Sequence, residues 1–165
     1  MVGPPTCPRT SRSTSTAAGP EPRSTLAGRV FCDNTSYFYA CADPDDAFYR
    51  QALVLAAEAA SRRAELWTTW DVISETVTLL RYRHSATAAI SLLDDVRPSL
   101  HVVEYGVNVR VEAEQVFRRL GRERRLSLCD AISFAVVTML LDHMPCFAFD
   151  EDFRRLGLTV IAVPH

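Results

Sequence analysis

The sequence contains no lysine, and all 18 of its basic residues are arginine. That excludes chemistry built on a side-chain amine: Schiff bases, Walker-type phosphate loops and receiver-type phosphorylation. It also lacks any apolar run near the ~20 residues that a membrane helix needs. The opening Met-Val-Gly-Pro-Pro has no charged segment leading into an apolar one, so it does not read as a secretory signal. Charge of one sign is lacking too. A net charge of −2 does not suit a protein that coats nucleic acid, but it allows an enzyme with a local basic groove. The five cysteines, Cys7, Cys32, Cys41, Cys129 and Cys146, include no CxxC pair. Three of them lie in apolar segments, where a thiol packs as a small hydrophobe. Reduced cysteines and a cytoplasmic location, with no membrane partner, are the expectation.

What is present suits one domain. The chain has 165 residues, 48 % of them hydrophobic and 23 % charged. Residues 1–28 are rich in Pro, Ser, Thr, Gly and Ala and cannot bury enough apolar surface to order themselves, so they read as a disordered leader before a domain over 29–165. Val30-Phe31-Cys32 is a short apolar strand ending in Asp33. Asp43-Pro44-Asp45-Asp46 has the composition of a helix start and predicts a helix from about Pro44 to Arg63, with the aspartates as caps rather than metal ligands. Strands are expected at Glu65–Thr69, Leu100–Glu104, Pro145–Phe149 and Leu158–Ala162. Helices are expected at Trp70–Arg83, Ser85–Val96, from an Asn108 cap to Gly121, at Ala131–Asp142 and at Phe153–Leu156. In the Asn108 helix, Val109, Ala113, Val116, Phe117 and Leu120 form the buried face. This alternation gives an α/β class with a mainly parallel central sheet flanked by helices.

Four carboxylates occupy special places in that scheme. Asp33 and Asp150 each end a buried strand. Asp130 opens an apolar helix, where it also fits the S-x-x-D capping pattern with Ser127. Glu75 falls at the edge of the apolar arc of its helix. A solvated flank for Glu75 and a plain cap for Asp130 are the structural alternatives. Brought together, these acids would need a hard cation to offset their repulsion. Oxygen ligands select magnesium, or manganese, over zinc. In-line hydrolysis of a phosphodiester follows from such a site, with one metal or with two about 4 Å apart. A polyanionic substrate calls for arginine nearby, and Arg122, Arg124, Arg125, Arg154 and Arg155 flank the acids in sequence. His84 and His101 have no ligand spacing.

Four segments in order carry a family resemblance: Val30-Phe31-Cys32-Asp33 with Thr35-Ser36; Ser74-Glu75-Thr76-Val77-Thr78-Leu79-Leu80; Leu126-Ser127-Leu128-Cys129-Asp130-Ala131-Ile132-Ser133-Phe134; and Phe147-Ala148-Phe149-Asp150 with Asp152-Phe153. From about Arg29 to Ile161 the chain resembles a PIN domain, of the kind found in VapC-type toxins of bacterial toxin–antitoxin pairs. The resemblance implies a metal site of Asp33, Glu75, Asp130 and Asp150, magnesium-dependent cleavage of RNA, homodimerisation, and inhibition by a small antitoxin. Many members carry Thr-Ser directly after the first acid. Here Asn34 intervenes, leaving Thr35 or Ser36 as the supporting hydroxyl. Cys129 stands where Thr is common, and Asp152 competes with Asp150 for the fourth place. Two other functions bear comparison. A PIN-fold module that binds RNA or protein without cutting is separable by the activity of Asp33→Asn. A phosphotransfer enzyme lacks its D-x-D-x-T motif here.

Overall fold

The computed structural model of the chain describes residues 28–122, 125–149 and 151–161. Asp150, Arg124 and residues 1–27 of the expected leader fall outside the described residues. Of Thr35 and Ser36 only the backbone is described. The elements run β1 (Arg29–Cys32), α1 (Asn34–Ala42), α2 (Tyr49–Ser61), β2 (Glu65–Thr69), α3 (Trp70–Arg83), α4 (Ala86–Ser91), β3 (Leu100–Val103), α5 (Val107–Leu120), α6 (Leu128–Met139), β4 (Cys146–Phe147) and α7 (Glu151–Arg155).

The strands form one sheet in the order β3-β2-β1-β4, and every pairing is parallel. The chain steps outward from β1 to β2 to β3, then returns to place β4 on the far side of β1. Parallel crossovers are right-handed, so reversing the direction of travel moves the later helices to the opposite face of the sheet. The core divides accordingly. Val30, Cys32 and Phe147 pack with Leu55, Val72 and Leu80 on one face. Phe31, Cys146 and Ala148 pack with Val116, Ala131, Ala135 and Val136 on the other. Strand β1 is buried on both faces by simple alternation, each large side chain contributing about 1.5–3 kcal/mol. The reversal of strand order falls between β1 and β4. An α/β sheet opens its cleft beyond the carboxyl ends of the strands at such a point, and Asp33 is the residue that follows β1.

Several expected boundaries are corrected. The stretch from Pro44 to Phe48 does not begin a helix. The Asp43 and Asp46 carboxylates accept hydrogen bonds from the N–H groups of Asp45 and Phe48, making two tight turns, and α2 starts only at Tyr49. The helix expected to run to Val96 stops at Ser91 and widens into a π turn over Leu92–Val96, followed by a 3₁₀ turn at Arg97–Ser99. Gly106, not Asn108, caps α5, and Phe117 is exposed rather than part of its buried face. Gly121 does end α5, for a spatial reason: a Cβ there would stand 2.7 Å from the Phe117 carbonyl oxygen. The α6 helix ends at Met139. The strand expected from Pro145 to Phe149 shortens to two residues. The last strand reduces, within the described residues, to a single parallel bridge between Cys146 and Val160.

Candidate active site

Three elements deliver a carboxylate to the cleft. Asp33 follows β1 in extended backbone (φ −81°, ψ 116°), and its side chain does not cap α1. It is completely buried, with 0 % of its surface exposed. The preceding carbonyl, Cys32 O, accepts a hydrogen bond of 3.0 Å from the buried Thr68 hydroxyl on β2. This cross-strand tether fixes the end of β1. Next to it, Thr69 Oγ1 accepts from Val72 N at 3.3 Å and caps α3. That start places Asp71 and Glu75 one turn apart on the same helix face. Glu75 is half-buried.

The third acid comes from α6 through a full capping box. Ser127 Oγ accepts from Asp130 N at 3.0 Å, while Asp130 Oδ2 accepts from Ser127 N at 2.7 Å. The capping role expected for Asp130 is therefore real, and it fixes the carboxylate's orientation.

All three acids lie close enough to act on Cys129. Burial pushes its thiol far above the ordinary value, and the negative charges of Asp33, Glu75 and Asp130 push it further, with Glu75 within hydrogen-bonding reach. Burial likewise raises Cys146, and Asp33 adds to it. These thiols stay protonated and contribute no further negative charge. Ser133, one turn beyond Cys129 on α6, is fully buried, and its hydroxyl has no hydrogen-bond partner among the described residues. Such an orphaned hydroxyl is the kind of group an ordered water satisfies.

The donor set is hard and oxygen-rich, so it fits magnesium or manganese better than a soft ion. Among the described residues, no three acidic, histidine or cysteine side chains already stand together at ligand geometry. One oxygen of Asp130 is held by the capping box, and Glu75 leans on Cys129. Asp150, the fourth expected acid, lies outside the described residues. Its competitor Asp152 is mostly buried, with Arg155 Nη1 3.6 Å from its Oδ1.

The site opens into a cavity of about 360 Å³ whose lining includes Trp70, Asp71, Glu75, Leu128, Cys129 and Ile132. Adjoining it is a second of about 240 Å³, which shares Asp71, Leu128 and Ile132 and adds Tyr105 and Arg110. Of the expected arginines, Arg122, Arg125, Arg154 and Arg155 are exposed and line neither cavity. Arg110 was not singled out in the sequence; nothing in its helical context separates it from Arg118 and Arg119. His84 pairs with Asp43, and His101 stacks on Trp67, so neither histidine joins the site.

A parallel α/β sheet that delivers an acid from the end of its first strand to acids on two helices is the arrangement expected of a PIN domain. Residues 33–158 match that family, and the chain belongs to it. The fold is also similar to a solved structure, the crystal structure of the Mycobacterium tuberculosis toxin VapC20, which cleaves the sarcin–ricin loop. The two share 29 % identity at a TM-score of 0.68, over 79 % of this chain and 96 % of that one. A search of curated proteins found no match.

Proposed function

We propose that the chain is a metal-dependent endoribonuclease, the toxin of a toxin–antitoxin pair, working in the cytoplasm. The observation that carries this reading is that Asp33, Glu75 and Asp130 all act on the buried Cys129 thiol at the cleft of a PIN domain. The likeness to a toxin that cleaves an RNA loop supports the same substrate class. The catalytic unit is the domain from Arg29 onward, with residues 1–28 as a leader. A small antitoxin and a second copy of the chain are its proposed partners.

In this reading Asp33, Glu75, Asp130 and Asp150 hold magnesium or manganese. The ion, when bound, lowers the pKa of the attacking water and offsets charge on the phosphate. The chain's own residues set the geometry. Burial excludes solvent from Asp33, so a bound cation would meet its carboxylate without competing water. The Ser127 N–H fixes one oxygen of Asp130, so the carboxylate cannot rotate and its other oxygen has a set direction. Thr35 or Ser36, at the start of α1, supplies a supporting hydroxyl. Cys129 remains a neutral thiol, so the acids face no added anion.

The test is cleavage of a total RNA pool with and without magnesium. Wild type is expected to cut only with the metal. Asp33→Asn and Asp130→Asn are expected to lose about a hundredfold or more in rate, the scale of losing one electrostatic contact to a transition state, with unchanged circular dichroism. Equal cutting by all three would sink the reading. No cutting together with no magnesium binding would favour a non-catalytic PIN module instead.

A further inference from the structure

We propose that the trough joining the two cavities is a subsite for one unpaired nucleotide of an RNA strand, with Trp70 stacking on its base and Arg110 holding the adjoining phosphate. The proposal rests on the nuclease reading above and names residues that reading does not use.

The chain has two tryptophans, and the fold treats them differently. Trp67 is packed: its ring stacks on His101 at 5.0 Å and 17°, with Arg29 5.9 Å above it. Trp70, three residues on, is 55 % exposed at the first position of α3 and lines the cavity that holds Glu75 and Cys129. A large flat ring left in water beside a cleft is a ready platform for another flat apolar surface. Leu128 and Ile132 continue that surface along α6 and join the two cavities.

The other end of the trough carries one guanidinium beside the carboxylates of Asp71 and Glu114. The Arg110 guanidinium lies 5.8 Å from the centre of the Tyr105 ring. The Tyr105 hydroxyl in turn donates to Asp71 Oδ2 at 2.5 Å. Arg110 is in no salt bridge among the described residues, whereas Glu114 on the same wall is paired with Arg118 at 2.6 Å and Asp71 accepts from the Tyr105 hydroxyl. The exposed Arg110 guanidinium thus stands against the ring of Tyr105, which Asp71 holds through its hydroxyl. A phosphate accepts from such a fork at two oxygens.

An aromatic platform at one end, an exposed guanidinium at the other and an apolar floor between them match a nucleotide: a flat base and an anionic phosphate. The base must be unpaired, because a duplex hides the base faces inside its own stack. The cation also answers an electrostatic need, since a polyanion approaching three carboxylates is repelled unless the wall supplies positive charge.

The test uses the full chain with metal withheld by EDTA, so that binding is read without cleavage. The probes are a fluorescently labelled, unstructured oligoribonucleotide and the same strand in a duplex. Wild type is expected to prefer the single strand. Trp70→Ala should weaken single-strand binding about tenfold, and Trp70→Phe should recover most of it. Arg110→Gln should weaken binding and reduce the slope of log affinity against log salt by about one. Both side chains are exposed, so melting temperatures should match wild type. Unchanged affinity in Trp70→Ala and Arg110→Gln would overturn the subsite, and magnesium-dependent cutting by the wild type would leave the nuclease reading standing. A fall in oligomeric mass in Trp70→Ala would overturn it in favour of a second copy of the chain covering Trp70. Wild type that neither binds nor cuts RNA would remove both proposals together.

Discussion

Asp33 is positioned by a hydrogen bond made one residue before it. The Thr68 hydroxyl reaches Cys32 O from a separation of 36 residues, with both ends fully buried. Thr68→Val keeps the shape but leaves that carbonyl unsatisfied, at an expected cost of about 1–3 kcal/mol in a urea titration. Thr68→Ser should restore most of it. If the two variants unfold at the same urea concentration as wild type, the tether is not holding the strand end. The residue scale also shows why some of the candidate site is legible in the sequence. Asp33, Glu75 and Asp130 were legible because each stands at a landmark visible in one dimension: the end of an apolar run, the edge of a helical arc, the fourth place of S-x-x-D. Thr68, Arg110 and Trp70 had no such mark. Thr68 bonds across strands, Arg110 lies against Tyr105 and Trp70 is left exposed beside the cavity, and nothing in their immediate neighbours announces those placements.

Helix ends decide where the acids point. The capping box on α6 ties Ser127 and Asp130 to each other's backbone N–H. Ser127→Ala removes one of the two bonds and should lower stability by about 1 kcal/mol. It should also weaken magnesium binding, measured by titration calorimetry, because the helix start that carries Asp130 loosens, although the backbone N–H of residue 127 still donates to Asp130 Oδ2. A loss of stability with unchanged magnesium affinity would confine the box to a structural role. Element types were legible from periodicity, and β2 and α3 fall at the expected residues. The misreadings share one cause. Asp43 and Asp46 can bond to backbone two residues on as readily as they can cap a helix, and composition does not separate the two uses. Among the described residues the closing strand reduces to a bridge between Val160 and Cys146 at the sheet's edge. Its apolar residues look the same whether they ladder or merely pack.

For the whole molecule, the thiols link burial to pH. The described cysteines all carry raised pKa values: burial pushes Cys41 up to about 11, and it pushes Cys32, Cys129 and Cys146 up as well, with neighbouring negative charge adding to it. An unfolded chain releases these protons near the ordinary thiol value of about 8.5. Below that pH both states hold the proton and stability is fully present. Above it the unfolded state alone ionises, so stability falls as pH rises, and for Cys41 the fall ends near pH 11. Urea midpoints measured from pH 7 to 10.5 should decline steadily from about pH 8.5. A flat profile would mean that the thiols are more accessible than their burial indicates. Among the described residues no helix is long and apolar enough to cross a membrane.

The strand order β3-β2-β1-β4 has a consequence in time. Chains leave the ribosome N-terminus first, at about 5–20 residues per second. Strands β1, β2 and β3 can pair as they emerge, since each needs only what came before it. Cys129 and Asp130 on α6, and β4 on the open side of β1, come last. The half-made protein thus holds Asp33 and Glu75 but has no Asp130 to set against them. For the nuclease proposed here, made beside the messenger that encodes it, this order of synthesis keeps the blade incomplete until α6 has emerged.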